Sequence, residues 1–133
     1  MIFSRGGQSF LALVLLIGSI VVAVGLTVST LANSFLDTGF GYEASVIAQS
    51  AATSGAEDAL LRLDRNASFS SAGYSLTVAG ANAMVSVTQN FPSSNFVTVS
   101  STATVSGRTR TIGVIVVNNA ANGQMNIASW QLE

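Results

Sequence analysis

The sequence predicts an α+β protein, in which one long N-terminal helix packs on a C-terminal antiparallel sheet of about five strands. Three observations predict it. No charged residue occurs from Gly6 to Leu36. Between Tyr42 and about Asn66, apolar residues recur at steps of three and four, the period of a helix. After Asn66 the period changes to two, the period of a strand with one buried face.

The first element is an apolar stem over residues 8–37. Its centre runs without a break in apolar character from Phe10 to Leu26, with only Gly18, Ser19 and Gly25 as small interruptions. A bilayer-spanning helix needs about 20 largely apolar residues. A chain of 133 residues leaves roughly 100 outside this stem, enough for one small domain that cannot also bury it. The stem therefore needs lipid or copies of itself. Phe35, Phe40 and Tyr42 cluster beyond it and read as bilayer-interface anchors or contacts between neighbouring helices.

The second element, residues 38–66, continues the helix in amphipathic form. Ala52, Ala56, Leu60 and Leu63, with Ala48 and Ala59 alongside, make one narrow, alanine-rich stripe that lets a sheet approach closely. Glu57, Asp58, Arg62, Asp64 and Arg65 lie mostly off it, with Asp58 and Arg62 in the favourable order for an ion pair across one turn.

The head, residues 67–133, reads as a meander. Tyr74, Leu76 and Val78 alternate with Ser75 and Thr77, and Ala79–Asn82 reads as a turn. Val85 and Val87 follow. Val97, Val99, Ser101, Ala103 and Val105 then form one face of a long strand, and after a turn at Ser106-Gly107, Ile112, Val114 and Val116 answer it. Asn122-Gly123 is a hairpin signal before a last strand from Gln124 to Trp130. One sheet face covers the helix stripe and the other stays wet. Asn66–Gly73 and Gln89–Asn95 are loops by composition. Asn66-Ala67-Ser68 fits a glycosylation acceptor pattern but reads as a helix-ending turn, and Arg108 and Arg110 read as a solvated strand face.

Composition excludes more than it offers. Charged residues are 8% of the chain, and Ser, Thr, Ala, Gly, Val and Asn fill the deficit, a surface suited to packing on copies of itself. There is no His, Cys or Lys, which removes the usual general base, the nucleophile pairs, the Schiff-base lysine and nearly every transition-metal site. Five scattered arginines are too few for a nucleic-acid footprint. No enzyme activity, catalytic residue, metal site or cofactor is expected.

Ahead of the stem stands Arg5-Gly6-Gly7-Gln8-Ser9-Phe10, a basic residue and glycines abutting the apolar run. With the helix and strand-rich half behind it, this arrangement resembles type IV pilins and pilin-like (pseudopilin-type) proteins over nearly the whole chain. The resemblance implies a leader, residues 1–7, cut by a prepilin peptidase between Gly7 and Gln8. It also implies a membrane-held precursor, handed by a pilus assembly machinery to an extracellular helical filament of identical subunits. The filament core would then form from stems meeting at Ala12, Gly18, Ser19, Ala23 and Gly25. Two departures stand out. The fifth mature position, glutamate in most major pilins, is Ala12, and the stem has no proline. Gly39 and Gly41 are the candidate flexible step instead, since glycine costs about 1 kcal/mol relative to alanine within a helix. The implied function is a structural pilin subunit. The alternatives are a minor component that primes or caps a filament, and a single-pass anchored binding module.

Overall fold

The structure, a computed structural model, describes residues 5–133, with side chains from Gly7 onward. One helix, α1 (Arg5–Arg65), precedes five strands: β1 (Ser71–Val78), β2 (Ala81–Gln89), β3 (Phe96–Val105), β4 (Arg108–Asn118) and β5 (Met125–Leu132). The strands form one sheet in chain order, every neighbouring pair antiparallel. The chain divides into two compact units, residues up to Phe40 and residues from Gly41 onward.

In the second unit, α1 buries Ala44, Ala48, Ala51, Ala52, Ala56, Ala59 and Leu63 against the sheet. The sheet answers with Ala81, Ala83, Val85 and Val87 from β2, Val97, Val99, Ser101 and Ala103 from β3, and Ile112, Val114 and Val116 from β4. Small residues on the helix meet largely β-branched residues on the pleat, so the two backbones can come close. Each fully buried valine or isoleucine contributes roughly 1.5–3 kcal/mol. The closest approach is at Gly55, which is buried. A Cβ there would stand 2.8 Å from Val85 Cγ2 and 3.1 Å from Ala83 Cβ, and would collide with Ser101 Oγ. That Ser101 hydroxyl is fully buried and has no hydrogen-bond partner among the described residues.

Turn chemistry sets the registers. Ala79-Gly80 (φ 50° and 80°) and Ser106-Gly107 (φ 47° and 76°) are two-residue turns with both central residues left-handed, the geometry that matches strand twist. The first is tighter than the four-residue turn expected from the sequence. Val78 pairs directly with Ala81, so Ala81 and Ala83 join the core. The expected hairpin around Asn122-Gly123 joins β4 to β5, but through a longer loop than a two-residue turn. Asn119 N–H donates to the Gln124 carbonyl and Gly123 N–H to the Asn119 carbonyl, both at 2.8 Å. Only Gly123 of that pair is left-handed, so β5 begins at Met125 and extends to Leu132. At the end of α1, Asn66 Oδ1 accepts hydrogen bonds from Ser68 N (3.2 Å) and Ser68 Oγ (2.8 Å), the side-chain-capped turn expected there. The outer sheet face is rich in hydroxyls, with pairs at Thr102–Thr111 (3.0 Å) and Thr104–Thr109 (2.8 Å), though Met84, Phe96, Ile115 and Val117 share it.

Candidate functional site

From Arg5 onward the first unit is helix, and no other described residue covers it. From Phe10 to Leu36 every large apolar side chain is between 52% and 69% exposed. The segment is long and apolar enough to cross a membrane. From Gly7 to Phe40 it measures about 50 Å at 1.5 Å per residue, against a hydrocarbon thickness of about 30 Å. Four of its hydroxyls are turned onto the helix's own carbonyls: Ser19 on Leu16 (2.8 Å), Thr27 on Ala23 (2.8 Å), Thr30 on Thr27 (2.9 Å) and Thr38 on Ser34 (2.8 Å). Hydroxyls bonded in this way present little unsatisfied polarity to lipid or to a dry interface.

Four of the glycines picked out by sequence pack on nothing among the described residues. A Cβ at Gly7, Gly18, Gly25 or Gly39 would meet nothing within 4 Å. Gly18, Ser19 and Ala23 form the floor of a shallow apolar groove flanked by Leu15, Val22 and Leu26. Ala12 and Ser19 are seven residues apart, so they share a helix direction to within about 20°, and Ala23 lies beside them. Gly18, Gly25, Ala32 and Gly39 form a second row at the same spacing. The three glycines stand out in the sequence one by one, and Ala32 joins them only through the helical spacing. Gly7 and Gln8, the expected cleavage pair, lie in unbroken helix and are exposed. Residues 1–4 of the expected leader lie outside the described residues. The helix also continues through Gly39 and Gly41.

Gly41 has a packing partner. The Arg108 guanidinium lies over it, 3.0 Å from where a Cβ would be. Arg110 Nε donates to Ser45 Oγ at 2.8 Å. The expected solvated strand face holds for Arg108, which is exposed, and is corrected for Arg110, which is half-buried. Alternation along β4 places Arg108 and Arg110 on the same face as Ile112, Val114 and Val116, so they turn toward the helix just beyond its apolar stripe.

At the other end of the amphipathic half, Asp58 ties the helix to β1. Its Oδ2 accepts from Arg62 Nε and from the Tyr74 hydroxyl, both at 2.8 Å. The Arg62 guanidinium sits 4.4 Å from the Tyr74 ring centroid and 5.8 Å from that of Phe69, whose ring meets Tyr74 edge-on. Burial, with the hydrogen bond to Asp58 second, pushes the Tyr74 phenol up to about 12. The Asp58–Arg62 pairing was legible one helical turn apart. The Tyr74 contact, made across the turn into β1, was not. Among the described residues Asp58–Arg62 is the only ion pair, and no cluster of metal-ligating side chains forms.

No protein-family model, curated protein or solved structure matches the chain.

Proposed function

We propose that this chain is a structural subunit of a pilus-like filament, polymerising through its N-terminal helix. It would be held in a membrane before assembly and displayed outside the cell afterwards. The observation that carries the reading is the stem: an apolar helix whose most hydrophobic stretch is unburied and glycines whose vacated space no described residue uses. Those glycines cost helix stability, about 1 kcal/mol each relative to alanine. A second helix approaching along the Gly18 groove supplies a reason for them, because helix association away from water rests on close backbone contact at small residues. Stems exchanging lipid for one another account for a segment able to occupy both environments. The neutral, hydroxyl-rich head suits a surface packed against its own copies. The alanine at position 12 favours one variant of the reading, a minor subunit that primes or caps a filament whose register is set by other chains.

The test is intact-mass analysis of material sheared from the cell surface, alongside electron microscopy of the same fraction. The expected result is filaments containing a chain that begins at Gln8. A chain that keeps Met1, stays in the membrane fraction and never enters filaments would refute the reading and leave the anchored binding module in its place.

A further inference from the structure

We infer that the arginine pair Arg108–Arg110 is a docking site for the acidic helix ridge of a second copy of this chain, joining heads head-to-tail. The inference rests on the filament reading and names the surface by which heads meet. Both guanidiniums stand where the amphipathic helix begins, over Gly41 and at Ser45. Neither has a carboxylate partner among the described residues, where the one ion pair is spent inside the molecule. Asp58 and Arg62 are thereby removed from the charges free to meet a partner.

The carboxylates that remain on the second half of α1 are Glu43, Glu57 and Asp64, all exposed. Their spacings are multiples of seven, so they form one ridge with about 20° of drift per step. It lies on the helix side turned away from Ala48, Ala52, Ala56 and Leu63, which are buried. Glu57 and Asp64 stand about 20 Å or more along the helix axis from Gly41 and Ser45, at 1.5 Å per residue. The positive patch and the distal carboxylates Glu57 and Asp64, with Arg65 about a quarter-turn round the helix from them, are therefore at opposite ends of the same unit. They cannot satisfy each other within one chain, but they can between chains. A contact of two different patches is heterologous, and repeated it generates a helical filament. The competing ligand is the phosphate of a membrane lipid. Charge complementarity on the same head favours the second copy, and vesicles distinguish the two.

The chain has no cysteine, so introduced thiols report proximity without background. Full-length Arg108→Cys/Glu57→Cys, in which Arg110 and Asp64 still hold the contact, is treated in assembled material with a short bis-maleimide. A ladder of dimers, trimers and higher species is expected, with no ladder from a Thr88→Cys/Glu57→Cys control on the outer sheet face. In parallel, Arg108→Glu/Arg110→Glu is expected to lower the assembled fraction by about fivefold to tenfold, the scale of two exposed ion pairs. Adding Glu57→Arg/Asp64→Arg to the same chain should restore it. Filaments of the test pair that give no ladder, or equal ladders in test and control, would overturn the docking site and leave the filament reading standing. Failure of wild type to form filaments counts against the filament reading, and a ladder from membranes would then still support the contact. If the charge swap fails to rescue, and the double glutamate variant loses only its association with phosphatidylglycerol vesicles relative to phosphatidylcholine, the pair serves lipid and the inference is wrong.

Discussion

Replacing Gly55 with alanine tests how the helix seats on the sheet. On an exposed helix the change stabilises by about 1 kcal/mol. Here the new methyl would stand 2.8 Å from Val85 Cγ2 and 3.1 Å from Ala83 Cβ, and would collide with Ser101 Oγ. Ala83 has no side-chain torsion to rotate away, and Val85 is fully buried, so relief requires the helix to lift from the sheet. Overpacking of this kind costs about 1–3 kcal/mol, and clashes with anchored atoms place it near the upper end. The net effect is then a loss of about 2 kcal/mol, or some 8–16 °C in melting temperature for a unit of this size. Ser101→Ala removes a buried hydroxyl that has no hydrogen-bond partner among the described residues, and it is expected to stabilise by about 1 kcal/mol. It also clears one of the three obstacles, so Gly55→Ala should cost about 1 kcal/mol less in that background, a coupling visible in a double-mutant cycle. Urea unfolding of the full-length chain in detergent, followed by fluorescence of the single tryptophan, Trp130, measures all four proteins. A Gly55→Ala protein as stable as wild type would refute the close-approach argument.

Three further outcomes are expected. Gly18→Leu or Ala23→Leu raises hydrophobicity and so preserves membrane insertion, but fills the groove and impairs assembly by about 1–3 kcal/mol per site; equal loss of membrane and filament yield, or loss of neither, argues against a packed helical core. Filaments should survive about 1 M salt, where the screening length is only about 3 Å, and loosen in mild detergent, because exposed ion pairs contribute about 0–1 kcal/mol each; disassembly by salt alone would show that charge holds them together. The raised Tyr74 pKa gives a stability contribution that is complete below about pH 10 and is lost as pH rises from there through about 12; Tyr74→Phe should abolish that alkaline step, and an unchanged pH profile would show that the phenol is not coupled to folding.

The stem, the amphipathic stripe and most strand faces were legible because each depends on a short-range period. Charge-free residues over a bilayer's length, Ala52 with Ala56 and Leu63, and Val97 alternating through Ala103 are local patterns, and a helix or strand follows wherever one face must leave water. Ser106-Gly107 was legible for the same reason, since a glycine supplies the left-handed backbone of a tight turn. Other features depended on what lies opposite. Gly55 carries no periodic signal, and its importance comes from Ala83, Val85 and Ser101 on strands far along the chain. Ala81 entered the core because Val78 pairs with it directly. Arg108 and Arg110 have the alternation of a solvated strand edge, yet that alternation points them at Gly41 and Ser45, because α1 extends beyond the apolar part of β4. The sequence by itself determined which segments must hide from water, since that depends on residues a few positions apart. The tertiary structure alone decided which side chains share a contact, since helix and sheet are joined by distances along the chain that no local period encodes.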